Sequence, residues 1–253
     1  EHKADAVMHF AAASLVGESV LDPLKYYDNN VLACVNLLKA MKEAHVDKLI
    51  FSSTAATFGE PERIPIEEDD RQQPTNPYGW SKLMIERILR DHAKATRFSF
   101  VALRYFNAAG AHVSAGFGEW HEPETHLIPN ILKVLTGKKK ELEIFGGDYE
   151  TSDGTCLRDY VHIEDLASAH LLALEALAGG MESDVFNLGS GSGYTVKEIV
   201  AMVEKVTGKK VNVKMSPRRP GDPARLVASS AKAKRVLGWQ PKHDLESIIR
   251  TAW

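Results

Sequence analysis

Tyr78 and Lys82 stand four residues apart in Tyr78-Gly79-Trp80-Ser81-Lys82, at the start of a segment with helical periodicity. On a helix that spacing puts both side chains on one face. An ammonium held near a phenol favours phenolate and lowers the tyrosine pKa toward the range of a general base. Alone, the pair is a common surface feature, because any tyrosine and lysine sharing a helix face satisfy it. Its position adds weight. Upstream, Leu49-Ile50-Phe51 ends in Ser52-Ser53-Thr54, and hydroxyl residues at the carboxyl end of a parallel strand sit where open α/β sheets bind ligands. Thr54 there can hydrogen-bond a substrate hydroxyl beside the Tyr78 phenol. Seen alone, the hydroxyl cluster also reads as a loop cap.

The elements that must hold these groups follow from periodicity. Leu24, Tyr27, Val31, Val35, Leu38 and Met41 step by three or four, predicting a helix over about 23–44 with Pro23 in its first turn. Short buried strands are expected over 4–10, 48–53 and 98–104, with a helix over about 78–95. Strands alternating with long helices, joined by connections too long for hairpins, indicate a parallel sheet. The expected fold class is α/β, a Rossmann-like doubly wound parallel sheet with a smaller α/β lobe. After Asn107 the texture changes. Residues 107–126 are rich in Gly, Ala, His and Glu and read as an ordered excursion. A helix near 125–136, a strand at 142–145 and a polar loop to about 158 follow. A helix over 165–178, a strand at 185–188 and a helix from Thr195, with Thr195 and Glu198 as a capping box and Gly208 as its stop, resume the alternation. The expected division is a sheet domain over 1–106, with elements near 160–190 returning to it, and a lobe built mainly from 107–253.

Composition bounds the function class. The chain has 253 residues, 44% hydrophobic and 26% charged, with a net charge of −3, as in an ordinary soluble enzyme. A nucleic-acid or anionic-membrane binder would need a basic excess that is missing here. There is no run of 18 apolar residues and no signal-peptide layout at the start. Cys34 and Cys156 lack C-x-x-C spacing, so a reducing cytoplasm is the expected compartment. His112, His121 and His126 alternate with Glu119, Glu122 and Glu124, but the spacing is not that of a helix-borne H-E-x-x-H, and no metal site is assigned. Lys138 to Lys140 reads as a solvated helix end, and Trp239 and Trp253 as packing residues.

Phe51-Ser52-Ser53-Thr54 followed by Tyr78-x-x-x-Lys82 resembles the extended short-chain dehydrogenase/reductase superfamily. Further segments narrow the resemblance to the UDP-glucose (UDP-galactose) 4-epimerase family. They are His9-Phe10-Ala11-Ala12, Val16-Gly17-Glu18-Ser19, Tyr26-Tyr27-Asp28-Asn29-Asn30-Val31, Leu103-Arg104-Tyr105-Phe106-Asn107, Gly154 to His162, Asn187-Leu188-Gly189-Ser190-Gly191 and Pro217-Arg218-Arg219-Pro220-Gly221-Asp222. The match runs in order along essentially the whole chain.

The resemblance implies reversible inversion at C4 of the hexose in UDP-glucose and UDP-galactose, through a 4-keto sugar and bound NAD. It implies that Tyr78 is the base, that Lys82 binds the nicotinamide ribose and tunes Tyr78, and that Thr54 contacts the reacting sugar oxygen. Phe10, Ala11, Asn30, Ser52 and Tyr105, with Tyr78 and Lys82, match cofactor-contacting positions. Thr54, Asn107, Leu127, Phe145, Arg158, Arg219 and Asp222 match positions holding the UDP-sugar. Arginines suit a pyrophosphate, and Asp222 can accept from ribose hydroxyls; without the resemblance, Arg158–Asp159 reads as a structural ion pair and Arg218–Arg219 as a solvated pair. A homodimer is also implied, with the helices near 23–44 and 78–95 pairing.

The chain departs from the family pattern at four places. Ser14 stands where some relatives carry a lysine, His126 replaces an asparagine, and Leu226 occupies the position that gates N-acetylated sugars. A glycine-rich dinucleotide loop is absent: Gly189, Gly191 and Gly193 mimic one, but Tyr194 stands at the third glycine and no acidic residue follows a second strand, so they read as a tight turn. With no initial methionine, the expectation is a chain lacking its first two β-α units, roughly 60–70 residues by the size of such units. UDP-pentose and UDP-N-acetylhexosamine 4-epimerases remain alternatives. A nucleotide-sugar 4,6-dehydratase would need a carboxylate after Thr54, where Ala55-Ala56 stand. A reading of another class is a catalytically silent dinucleotide-binding scaffold.

Overall fold

The computed structural model describes residues 3–219 and 222–253; Pro220 and Gly221 of the motif ending at Asp222 lie outside the described residues. In chain order the regular elements begin with β1 (Val7–His9), α1 (Val16–Leu21), α2 (Pro23–Tyr26), α3 (Ala33–Glu43), β2 (Lys48–Thr54), α4 (Pro77–Ala95) and β3 (Ser99–Tyr105). They continue with β4 (Asn107–Ala109), α5 (Leu127–Leu135), β5 (Leu142–Phe145), β6 (Leu157–His162), α6 (Ile163–Ala178) and β7 (Asp184–Leu188). The last are β8 (Gly193–Thr195), α7 (Val196–Thr207), β9 (Val213–Ser216), β10 (Arg225–Leu226), α8 (Ala231–Leu237) and α9 (Leu245–Ala252).

The main sheet has the order β1-β2-β3-β7, all parallel. Side-chain alternation along β2 divides its two faces. Leu49 and Phe51 join Cys34, Leu38, Met41, Ile85 and Leu89 under α3 and α4. Ile50 joins Leu166, Ala169, Ala173 and Leu177 of α6 on the other face. With both faces covered, β2 and β3 read as apolar runs rather than alternating ones. The segment after β7 also reaches this layer, because Ala233, Leu237 and the buried Trp239 pack with α6. Trp239 donates its indole N–H to the Asp165 carbonyl at 2.8 Å.

A second sheet, β10-β6-β4 with β8 antiparallel on β6, and the parallel pair β5-β9 lie beyond it. Ile144 of β5 joins Ile128 and Ile131 of α5, Ile199 and Val203 of α7 and Ile248 of α9 in a separate core. Strand β6 therefore belongs to the second sheet, whereas α6 and β7 return to the main one.

Two expectations change. The helix over 23–44 is helical throughout, but residues Tyr27–Leu32 form a π turn between α2 and α3. A π turn rotates the residues it contains out of the α-helical register, and Asn30 sits inside it, buried. Trp253 is 46% exposed, with Lys209 over its ring, so it is a surface residue and not part of a core.

Candidate active site

Backbone packing sets where Tyr78 starts. Asn76 caps α4 by accepting from the Gly79 amide at 2.9 Å, with Pro77 in the first turn. A Cβ on Gly79 would stand 2.5 Å from the Ala56 carbonyl oxygen. The glycine inside the Tyr-x-x-x-Lys motif thus lets the first turn of α4 lie against the short turn that follows Thr54. That approach brings the Tyr78 phenol to the neighbourhood of the Thr54 hydroxyl. Thr54 and Tyr105 are register partners at the carboxyl ends of β2 and β3, and both phenols are affected by this corner. Burial pushes Tyr78 well above the ordinary phenol range, while the Thr54 hydroxyl acts in the opposite direction. Burial also raises Tyr105, with the Ser52 hydroxyl acting against it.

Lys82 lies one turn deeper and is 3% exposed. Its Nζ donates to the Ser52 carbonyl at 2.8 Å and stands 4.8 Å from the Phe51 ring centre. Desolvation lowers its pKa to about 8, so the ammonium survives at neutral pH. Lys82 thus sits one helical turn from Tyr78, with its hydrogen bond going to the strand end. The residues present fit the ribose end of NAD. A buried ammonium has three N–H donors, and one acceptor, the Ser52 carbonyl, engages it among the described residues.

The other family-matched cofactor positions divide. Phe10 is 57% exposed and lies over His170, ring centres 4.7 Å apart. Ala11 is exposed beside it. Asn30 instead clamps protein to protein: its Oδ1 accepts from the Ala13 amide at 2.8 Å, and its Nδ2 donates to the Ala13 carbonyl and to Ser81 Oγ, each at 3.0 Å. Ser81 donates in turn to the Tyr78 carbonyl at 2.7 Å. Asn30 therefore ties the segment after β1 to the turn of α4 that carries Tyr78.

His170 was invisible to sequence reasoning because nothing local marks it. Its Nδ1 is 2.8 Å from the Leu166 carbonyl, which only accepts, so Nδ1 carries the proton. Burial lowers its pKa and keeps the ring neutral, leaving Nε2 to accept from Ser52 Oγ at 3.3 Å. Ser52 and His170 are thus hydrogen-bonded on the α6 face, with the Tyr105 ring 6.3 Å from that of His170. On the opposite face Ser53 donates to Glu86 at 2.6 Å, and Glu86 pairs through both oxygens with Arg104, at 2.9 and 2.6 Å, with both side chains fully buried.

The candidate sugar-nucleotide residues gather around β5, β6 and the segment after β9. Arg158 Nη2 meets Asp222 at 2.8 Å, and the Arg219 guanidinium covers the Phe145 ring at 3.8 Å. Asn107 opens β4 and Leu127 opens α5. The alternative reading of Arg158–Asp159 as an ion pair is overturned. Asp159 is buried and accepts from the amides of Ser190, Gly191 and Ala228 at 2.7, 3.1 and 3.1 Å. Arg218 pairs with Asp148 at 2.7 Å and covers Tyr149.

The same carboxylate explains the glycine decoy. The amides of Ser190 and Gly191, which a phosphate would otherwise attract, are already taken by Asp159, and a Cβ on Gly189 would meet Asp159 Oδ2 at 2.4 Å. This turn is an internal carboxylate cradle and offers no pyrophosphate loop, while the Lys82 corner fits the nicotinamide ribose end of NAD.

Comparisons with known proteins find relatives along the whole chain. The family model described as GDP-mannose 4,6 dehydratase matches residues 1–252. A UDP-glucose 4-epimerase of Lactobacillus helveticus is 54% identical over 254 residues, covering 100% of this chain and 77% of that protein. The crystal structure of UDP-glucose 4-epimerase from Brucella ovis in complex with NAD superposes with a TM-score of 0.95 at 49% identity, over 98% of this chain and 77% of that one. The Bifidobacterium longum UDP-glucose 4-epimerase in complex with NAD+ and UDP gives 0.94 at 42% identity, over 99% and 76%. With half its residues shared along its full length and the Tyr78–Thr54–Lys82 corner in place, the chain belongs to the UDP-glucose 4-epimerase family.

Proposed function

We propose that the chain interconverts UDP-glucose and UDP-galactose by inversion at C4, using NAD and passing through a 4-keto sugar. The observation that carries this reading is the meeting of Thr54 and Tyr78 at the carboxyl edge of the main sheet, with a buried, charged Lys82 one turn away. Bound NAD supplies reversible hydride acceptance. Every other part falls to side chains of the chain. Tyr78 takes the 4-hydroxyl proton and returns it; Thr54 holds the sugar oxygen and shares the proton path. Lys82 fills its free donors with the nicotinamide ribose hydroxyls and keeps positive charge beside a phenol that burial alone would hold neutral. Tyr105 and Ser52 line the same corner, Phe10 and Ala11 border it, and Asn30 positions it.

Retention of the ketone requires a firm hold on the nucleotide. Arg158 and Arg219 supply charge for the pyrophosphate, Asp222 an acceptor for ribose hydroxyls, Phe145 a flat face, and Asn107 and Leu127 the near wall. We assign the sheet layer, 1–106 with the returning elements, to the cofactor and 107–253 mainly to the UDP-sugar. A dehydratase is disfavoured because the turn after Thr54 is Ala55-Ala56-Thr57 and carries no carboxylate.

The homodimer belongs to this proposal. Leu24 and Leu32 are 76% and 50% exposed, and Trp80 and Met84 of α4 are 39% and 41% exposed; these lie on the helical segments expected to pair. Among the described residues no helix is long and apolar enough to cross a membrane, and cytoplasmic residence rests on the two buried free thiols, Cys34 and Cys156. The test is a coupled assay on the full-length protein with UDP-galactose, UDP-N-acetylgalactosamine and UDP-arabinose, together with the absorbance of NAD released on denaturation. The proposal expects released NAD and fastest conversion of UDP-galactose. Absence of both NAD and turnover favours the silent scaffold and overturns it.

A further inference from the structure

The excursion between β4 and α5 holds a cluster that the proposed reaction does not use. Folding brings Glu119, His121, Glu124 and His126 together so that one donor atom from each lies within 4.8 Å of all the others. His126 Nδ1 is 2.7 Å from Glu119 Oε1 and 3.2 Å from Glu124 Oε1. His121 Nδ1 is 3.3 Å from Glu119 Oε1 and 3.6 Å from Glu124 Oε2. The two imidazole rings stand 4.9 Å apart. Two nitrogens therefore face two carboxylates across a shared centre. Ligands about 2.0–2.1 Å from a tetrahedral ion are about 3.3 Å from one another, and the four N···O separations bracket that edge.

Burial and charge favour a cation. The Glu124 side chain is 3% exposed and that of Glu119 20%, so two carboxylates share a largely desolvated corner. A divalent ion would balance the two carboxylates exactly once, and would leave both imidazoles neutral. The mixed nitrogen and oxygen set suits zinc-like ions, because magnesium and calcium prefer oxygen alone. Sequence spacing hides the site: the four residues follow no helical repeat and meet only because the chain doubles back before α5.

We propose that Glu119, His121, Glu124 and His126 form a structural site for a divalent transition-metal ion of the zinc class. The ion would fasten the excursion to the first turn of α5, since His126 is the residue that precedes Leu127. The site does not depend on the epimerase reading.

The test uses the full-length protein, stripped with a chelator and titrated with Zn2+ alone against a chromophoric competitor, and separately with Co2+ for its visible spectrum. The proposal expects one ion per chain, the intense visible bands of four-coordinate cobalt, and an upward shift in Tm on adding Zn2+. His121→Ala and Glu119→Gln each remove a ligand from a partly exposed position and should weaken binding at least about 100-fold, more than an outer-shell change does. His112→Ala, outside the cluster, should leave it unchanged. Far-ultraviolet circular dichroism checks that each variant is folded. Binding that survives both ligand substitutions, weak sub-stoichiometric binding to the parent chain, or a pale six-coordinate cobalt spectrum would overturn the site and leave a histidine–carboxylate ion-pair cluster.

Discussion

Replacing Lys82 by Met should make the cofactor-stripped protein more stable and far less active. The magnitude follows from burial. Lys82 is 3% exposed, and its pKa falls from 10.5 to about 8 on folding. A shift of that size is a differential cost of about 3 kcal/mol for keeping the ammonium inside at neutral pH. Met removes that cost but leaves the Ser52 carbonyl without the donor that sits 2.8 Å from it, a loss of about 1–2 kcal/mol. The net expectation is a gain of about 1–2 kcal/mol at pH 7.

The pH dependence gives a sharper signature. The folded-state pKa is depressed, so between about 8 and 10.5 the unfolded chain holds a proton that the native chain has lost. Stability rises with pH wherever the unfolded state binds more protons. The parent therefore recovers stability across that window, and the advantage of Lys82→Met shrinks there; below pH 8 it is constant. Urea unfolding of both proteins at pH 7, 8, 9 and 10 measures the difference directly. A variant that is less stable than the parent at pH 7, or a difference that stays flat from pH 7 to 10, would refute the reasoning. In the coupled assay on holoenzyme, the same substitution should cost orders of magnitude in kcat.

Two other substitutions probe the supports. Glu86→Ala strands the Arg104 guanidinium, since both side chains are fully buried and joined by two bonds, and should cost about 3–5 kcal/mol with a large fall in Tm. Arg158→Ala removes the guanidinium paired with Asp222 and, if it holds the pyrophosphate, should raise KM for UDP-galactose by about 10- to 100-fold, equivalent to about 1.5–3 kcal/mol, with kcat changed far less; a fall in kcat with KM unchanged would move Arg158 away from nucleotide binding.

The parts of this protein legible in its sequence are those fixed by local pattern. The strand-end run Ser52 to Thr54, the Tyr78–Lys82 spacing and the capping box at Thr195 and Glu198 are local, and the structure shows the strand, the helix start and both capping bonds. What the spacing could not convey was direction. Lys82 and Tyr78 share a helix face, and the ammonium donates to the Ser52 carbonyl of the adjacent strand β2. His170 and Glu86 were missed for another reason. Their partners, Ser52 and Ser53, come from a strand far away in sequence, and only the two-sided packing of β2 assigns one serine to each. The glycine run at 189–193 is separable from a phosphate loop by Tyr194 and by the missing acidic residue after a second strand, while the carboxylate that fills it, Asp159, lies on another strand. Long-range pairing of polar groups leaves no period in the chain.

The central claim is that Tyr78 moves the proton at C4. The most direct measurement is single-turnover conversion of UDP-galactose by the full-length Tyr78→Phe holoenzyme, alongside its affinity for UDP. Phe retains the ring that meets Tyr26 edge-on at 6.4 Å and removes only the hydroxyl. Loss of turnover by orders of magnitude with UDP affinity intact is the expected result; near-normal conversion would contradict the account.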